Sequence, residues 1–88
     1  MRLEKSDRFF QELQEIVDFI AMDNVYAALS FYDELIEKIE EISENPYRYR
    51  MNQTVYQEYS REMIFRGYTI PFFIDTQRDT IVILGIFN

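Results

Sequence analysis

Apolar positions recur along the first half of the chain with the period of an α-helix. Phe9, Leu13, Ile16, Val17 and Ile20 follow one another at spacings of 4, 3, 1 and 3, which gathers them on one helical face. Glu12, Glu15 and Asp18 fall mostly on the other face. Ser6 or Asp7 offers a short polar side chain able to accept from the free amides of the first turn. Asp23-Asn24 then interrupts the pattern and caps a second helix. In that helix Val25, Ala28, Leu29, Tyr32, Leu35, Ile36, Ile39 and Ile42 keep helical spacing until Asn45-Pro46, where proline cannot continue a helix and restricts its predecessor. Asp33, Glu34, Glu37, Glu40, Glu41 and Glu44 make its solvent face, with Lys38 the lone cation. Two helices joined by so short a turn form a helical hairpin. Residues 2–5 are read as a brief strand leading into it.

The period changes in the second half. Residues 46–60 are polar and rich in Tyr and Arg, the signature of a surface loop with a short strand at its end. Residues 61–65 and 68–74 flank Arg66-Gly67, a hairpin in which Gly67 supplies the positive φ of a tight turn. Residues 75–79 form a second turn. Residues 80–87 are almost wholly apolar and rich in β-branched side chains, which predicts a buried strand. Alternation along it puts Ile81, Ile83 and Phe87 on one face and Val82, Leu84 and Ile86 on the other, so both faces need cover. Pro71 lies inside the middle strand, where the missing amide calls for a bulge or an edge position. The fold class is α+β: a two-helix hairpin on a three- to four-stranded antiparallel sheet, in the order (β)ααβββ, as one domain spanning residues 1–88.

Composition narrows the chemistry. The 88 residues include no Cys and no His, which removes disulfides, thiolate metal sites, the usual zinc ligand and the usual general base near neutral pH. No loop gathers carboxylates at metal-binding spacing, so neither a metal nor another cofactor is expected. Net charge is −7, which gives no global attraction to nucleic acid. The charge is uneven: residues 1–45 hold four Lys/Arg against twelve Asp/Glu, whereas residues 46–88 hold five Arg, no Lys and four Asp/Glu. Those arginines are Arg48, Arg50, Arg61, Arg66 and Arg78, and Arg suits bidentate contact with phosphate or carboxylate. Arg48 and Arg50 alternate with Tyr47 and Tyr49. That cluster fits a nucleic-acid or partner contact by stacking and charge; it equally fits a solvated loop whose tyrosines pack on the sheet, the simpler of the two readings. No apolar run has the length of a membrane span, and the charged start, residues 1–9, lacks the apolar core of a signal peptide. The expectation is a soluble, cytoplasmic protein with no membrane association.

Three stretches, taken in order, resemble the RelE/ParE superfamily of toxins from type II toxin–antitoxin pairs. Residues 10–23 are similar to the family's first helix with its Asp-Phe-Ile ending, here Asp18-Phe19-Ile20. Residues 27–42 followed by Asn45-Pro46 are similar to its second helix and stop. Residues 61–75 and 80–88 are similar to its three C-terminal strands. The resemblance implies a toxin neutralised in a hetero-oligomer with a cognate antitoxin. One branch of the superfamily cuts messenger RNA on the ribosome; the other poisons DNA gyrase without being an enzyme. A degenerate toxin that retains only antitoxin binding is a further alternative.

RNA cleavage requires a group to deprotonate the 2′-hydroxyl, cations for the phosphate and a donor for the leaving oxygen. The cutting branch supplies a basic residue before the hairpin, an Arg after the Tyr of the middle strand and a His or Tyr at the end of the last strand. Arg61 matches the first. Thr69 follows Tyr68 where the Arg is expected, Phe72 stands where a Tyr is common, and Asn88 stands where the terminal His is common. Asn hydrogen-bonds but does not exchange a proton near neutral pH. Arg61 and Arg66 therefore remain the candidates for catalysis, and Arg48, Arg50, Arg61 and Arg66 the candidates for binding the target.

Overall fold

The computed structural model of the chain describes residues 1–51 and 59–88. A first strand, β1 (Arg2–Lys5), runs into helix α1 (Asp7–Asp23). Ser6 forms the joint. Its Oγ accepts from the Phe9 amide at 3.1 Å and donates to the Leu84 carbonyl at 3.0 Å, while its own amide donates to the Ile83 carbonyl at 3.0 Å. One residue, Asn24, separates α1 from α2 (Val25–Glu41). Its amide closes α1 on the Ile20 carbonyl and its Oδ1 opens α2 by accepting from the Ala27 amide at 3.1 Å. Two short 3-10 turns come next, Ile42–Glu44 and Pro46–Arg48.

The remaining strands are β2 (Arg50–Met51), β3 (Ser60–Phe65), β4 (Tyr68–Asp75) and β5 (Thr80–Ile83). The sheet has five strands in the order β1-β5-β4-β3-β2, and β1 lies parallel to β5. The helical pair on a sheet is therefore as the sequence predicts. The strand count and the purely antiparallel pairing are not, because the brief first strand returns beside the last and two residues after the 3-10 turns add an edge. That edge strand stands near the start of the 46–60 stretch. The predicted loop around Asn52-Gln53-Thr54 and Tyr56 lies outside the described residues.

One face of the sheet carries the core. Phe9 and Leu13 of α1, Phe31, Leu35 and Ile39 of α2, and Ile42 meet Met63, Phe65, Ile70, Phe72, Ile74, Ile81 and Ile83. Phe31 stands edge-on to Phe65 and Tyr68, and Tyr49 edge-on to Phe72, with ring centroids 5.5–5.6 Å apart. The packing of Tyr49 agrees with the simpler reading of the Tyr/Arg cluster. Phe31 is absent from the apolar series read in the sequence, whereas Val25, Leu29 and Tyr32 of that series are exposed. The apolar stripe of α2 is wider than one contact with a sheet can cover, and its outward part turns toward a groove shared with α1.

The β3–β4 hairpin turns on Arg66 and Gly67 with φ of +49° and +83°, the two-residue turn whose twist matches its strands. Pro71 produces no bulge in β4: pairing with β3 runs unbroken from Ser60↔Phe73 to Phe65↔Tyr68. Alternation from that closing pair leaves Pro71 at a position that does not bond to β3, so its missing amide faces β5. There the Leu84 amide donates to the Pro71 carbonyl at 2.9 Å, and the return bond a non-proline would make to the Leu84 carbonyl is replaced by that from Ser6 Oγ. The bulge appears on the other strand. The Thr69 amide donates to Phe87 and the Phe87 amide to Thr69 at 2.6 and 3.1 Å, so Gly85 and Ile86 together oppose Ile70 alone. The extra residue reverses the expected alternation: Ile86 is buried and Phe87 exposed.

Ser6 thus caps a helix and ends a strand at once. Ser6→Ala is expected to lower stability by about 2 kcal/mol in urea unfolding. Ser6→Thr, which keeps acceptor and donor, should recover most of the loss; Ser6→Asp keeps only the acceptor and should not.

Candidate functional site: an arginine-bearing sheet edge and an apolar helical groove

Three of the four candidate arginines come together where β2 borders β3. Arg50 and Glu62 are direct cross-strand partners, and Arg50 Nε donates to Glu62 Oε2 at 2.7 Å. Glu62 is 5% exposed, so its carboxylate has this guanidinium as a close counter-charge. Arg61 points to the opposite face of the sheet. Its guanidinium donates to the carbonyls of Tyr47 and Tyr49 at 3.0 and 2.9 Å and lies 5.4 Å from the Tyr47 ring centroid. It therefore ties the Pro46–Arg48 turn to the sheet. Arg48 lies over the Tyr49 ring at 5.2 Å and donates to its hydroxyl at 3.3 Å. That bond raises the Arg48 pKa above its ordinary value, so this exposed guanidinium stays charged.

Arg66 stands at the other end of β3, about 17 Å along an extended chain from Arg61. It lies over the Phe65 ring and is ion-paired with Glu34 of α2. Arg61 and Arg66, the two candidates for catalysis, are therefore not brought into one site. Thr69 and Asn88 come close in the fold, because the Thr69 backbone pairs with Phe87. Asn88 and Tyr68 line a cleft with Glu12, Glu15, Ile16 and Phe19. Glu12 does more than face solvent, as its helical phase suggests. Its Oε1 accepts from the Ile86 amide at 3.0 Å, and a Cβ on Gly85 would fall 2.4 Å from that oxygen. A side chain at position 85 would therefore displace the Glu12 carboxylate from this place. Among the described residues no group of three or more Asp or Glu side chains could hold a metal ion, and no helix is long and apolar enough to cross a membrane.

A second surface lies on the helical hairpin. Phe10, Leu13, Gln14 and Val17 of α1 and Leu29 and Tyr32 of α2 line a groove there. Near the hairpin tip Phe19, Met22 and Tyr26 are 74%, 86% and 84% exposed. So much apolar surface clustered on one layer is the mark of an interaction face. Its signal in the sequence is a stripe on α2 too broad for one interface.

The model of the family described as ParE toxin of type II toxin-antitoxin system, parDE, matches residues 3–88. Among solved structures, a chain of the chromosomal ParDE toxin–antitoxin system from P. aeruginosa is similar in fold. It is 17% identical, with a TM-score of 0.77, over 98% of this chain and 92% of that one. No curated protein matches.

The Arg50–Glu62 pair gives a direct test of the edge. Arg50→Ala leaves a buried carboxylate without this partner and should cost about 3 kcal/mol of stability in chemical denaturation. The double variant Arg50→Ala/Glu62→Gln should recover much of the loss.

Proposed function

The chain belongs to the ParE toxin family of type II toxin–antitoxin systems, and from that premise we propose that it arrests growth by binding DNA gyrase, without catalysis, and is held inactive by a cognate antitoxin. The observation that carries this reading is the chemistry at the end of the sheet. Thr69 and Asn88 stand where the RNA-cutting branch places an Arg and a His, and the sequence contains no His or Cys. Thr and Asn side chains hydrogen-bond but do not take up or release a proton near pH 7. A poison that acts by occupying its target needs a surface and no acid–base pair.

Contact with the target is assigned to the sheet edge that carries Arg48, Arg50 and Arg61 and, separately, to Arg66 in the β3–β4 turn. Arg66 carries the more particular argument. A non-glycine residue at φ +49° is better accommodated as Asn than as Arg, so its presence in the turn is more readily explained by its charge than by its backbone. A second reading, binding to the ribosome or its messenger, is favoured by Arg48 and Arg61 lying over tyrosine rings, an arrangement suited to nucleic acid. The antitoxin's seat is assigned to the groove between α1 and α2, where apolar side chains lie open.

Induced expression with pulse labelling separates these readings. DNA synthesis should fall before protein synthesis, and purified chain should inhibit gyrase-dependent supercoiling. Protein synthesis falling first would replace gyrase with the translation machinery, and continued growth without arrest would overturn the toxin reading. Arg66→Asn should leave the unfolding midpoint unchanged or raise it while weakening growth arrest about tenfold, because it relieves the turn and removes the charge.

A further inference from the structure

The groove on the helical hairpin has an electrostatic border that specifies its occupant. Along α1, Asp7 and Asp18 share the outward side of the helix with Phe10, Gln14 and Val17; along α2, Asp33, Glu37 and Glu40 share it with Leu29. All five acids are exposed. The cations that touch these helices are engaged on other sides: Arg8 with Glu12 at 3.4 Å, Lys38 with Glu41 at 3.8 Å, and Arg66 with Glu34. An apolar floor thus runs between two anionic margins.

The occupant's backbone is constrained as well. Both walls are helices whose amides and carbonyls bond internally, so the groove offers no strand edge. An extended segment laid into it would bury backbone groups without partners, whereas a helix satisfies its own. A third helix can seat apolar side chains at i, i+3/i+4 and i+7 on the floor and flank them with charge.

We propose that this groove binds a cationic amphipathic helix, and that the antitoxin segment seated there carries Lys or Arg on both flanks of an apolar seam. The assignment of that helix to the antitoxin rests on the toxin reading; the charge and shape of the occupant rest on the groove alone. The anionic margins attract such a helix and repel an acidic one, so the border selects partners as well as strengthening contact.

Two synthetic peptides of about 20 residues, long enough to form helix on contact, test this on the full chain. They share one leucine seam and differ in carrying Lys or Glu on the flanks. By fluorescence anisotropy in about 50 mM NaCl the Lys peptide should bind at least about tenfold tighter than the Glu peptide, and the difference should shrink in about 500 mM NaCl. Amide shifts in NMR spectra should centre on Phe10, Val17, Leu29 and Tyr32. Leu29→Asp should weaken the Lys peptide's binding despite adding an anion, which diffuse charge attraction would not do. Asp33→Lys/Glu37→Lys should reverse the preference between the peptides. Equal binding of both peptides, shifts elsewhere on the surface, or an unchanged preference in the double-lysine variant would overturn the proposal. The toxin reading is judged separately by induction of the unaltered chain: absence of growth arrest removes the antitoxin assignment and leaves the measured peptide preference standing.

Discussion

The fold turns on an amide that Pro71 does not have. In the middle of a five-stranded sheet, a residue facing β5 with a carbonyl but no N–H leaves the Leu84 carbonyl without its ladder partner. The Leu84 carbonyl, at an exposed position, is then open to another donor. Ser6 supplies it, and the same oxygen accepts from the first turn of α1. The last strand therefore leaves regular pairing at the position where the first helix begins. Gly85 makes room for Glu12, whose carboxylate receives the Ile86 amide, and the chain rejoins β4 at Thr69 with one residue extra. Three segments distant in sequence, the start of α1, the middle of β4 and the stretch after β5, are joined by hydrogen bonds around the proline.

That junction decides which surfaces remain open. It anchors the start of α1 at the end of β5, so the hairpin lies across the sheet with Phe9, Leu13, Phe31, Leu35 and Ile39 inward. A single sheet face can absorb only one side of each helix. The apolar surplus of α2 then has only the groove beside α1 and the solvent, and Leu29 and Val25 face outward as a consequence of where the hairpin is held. The outer side of the sheet is less apolar, interrupted by the Arg50–Glu62 pair and by Thr80, which accepts from Arg2.

Local chemistry makes much of this legible in the sequence. Helical spacing identifies both helices, Asn24 marks the joint between them and Gly67 locates the hairpin turn, whereas α2 gives way to 3-10 turns at Ile42, ahead of the stop expected at Asn45-Pro46. Each of these signals acts within a few residues of itself. The features that differ from expectation are consequences of long-range pairing. The place of β1 beside β5 depends on pairing between residues 78 apart, as at Arg2↔Thr80. Pro71 signals a bulge, but the bulge falls at Gly85-Ile86 on the neighbouring strand, because the sequence does not say which neighbour a proline's missing amide faces. Helical periodicity likewise reports that a side is apolar without reporting whether a sheet or solvent lies against it, so Leu29 and Tyr32 read as core. Of the candidate site, the arginines are visible as residue types. Their partition into an edge group and a turn, with Arg61 turned toward the Tyr47 and Tyr49 carbonyls, requires the sheet register.

The same register bears on how a ligand in the groove could reach the arginines. Arg48, Arg50 and Arg61 sit at the β2 border, and in physiological salt a charge is largely screened beyond about 8 Å. An occupant of the groove lying farther than this from that edge cannot silence it by field alone. Arg66 is different, since its ion pair with Glu34 joins the β3–β4 turn to α2, beside Asp33 in the chain and one turn before Glu37 and Lys38. Yet a cationic helix drawn to the outward acids of α2, Asp33, Glu37 and Glu40, would lie on a different side of that helix from Glu34 and so would leave the Arg66 ion pair in place.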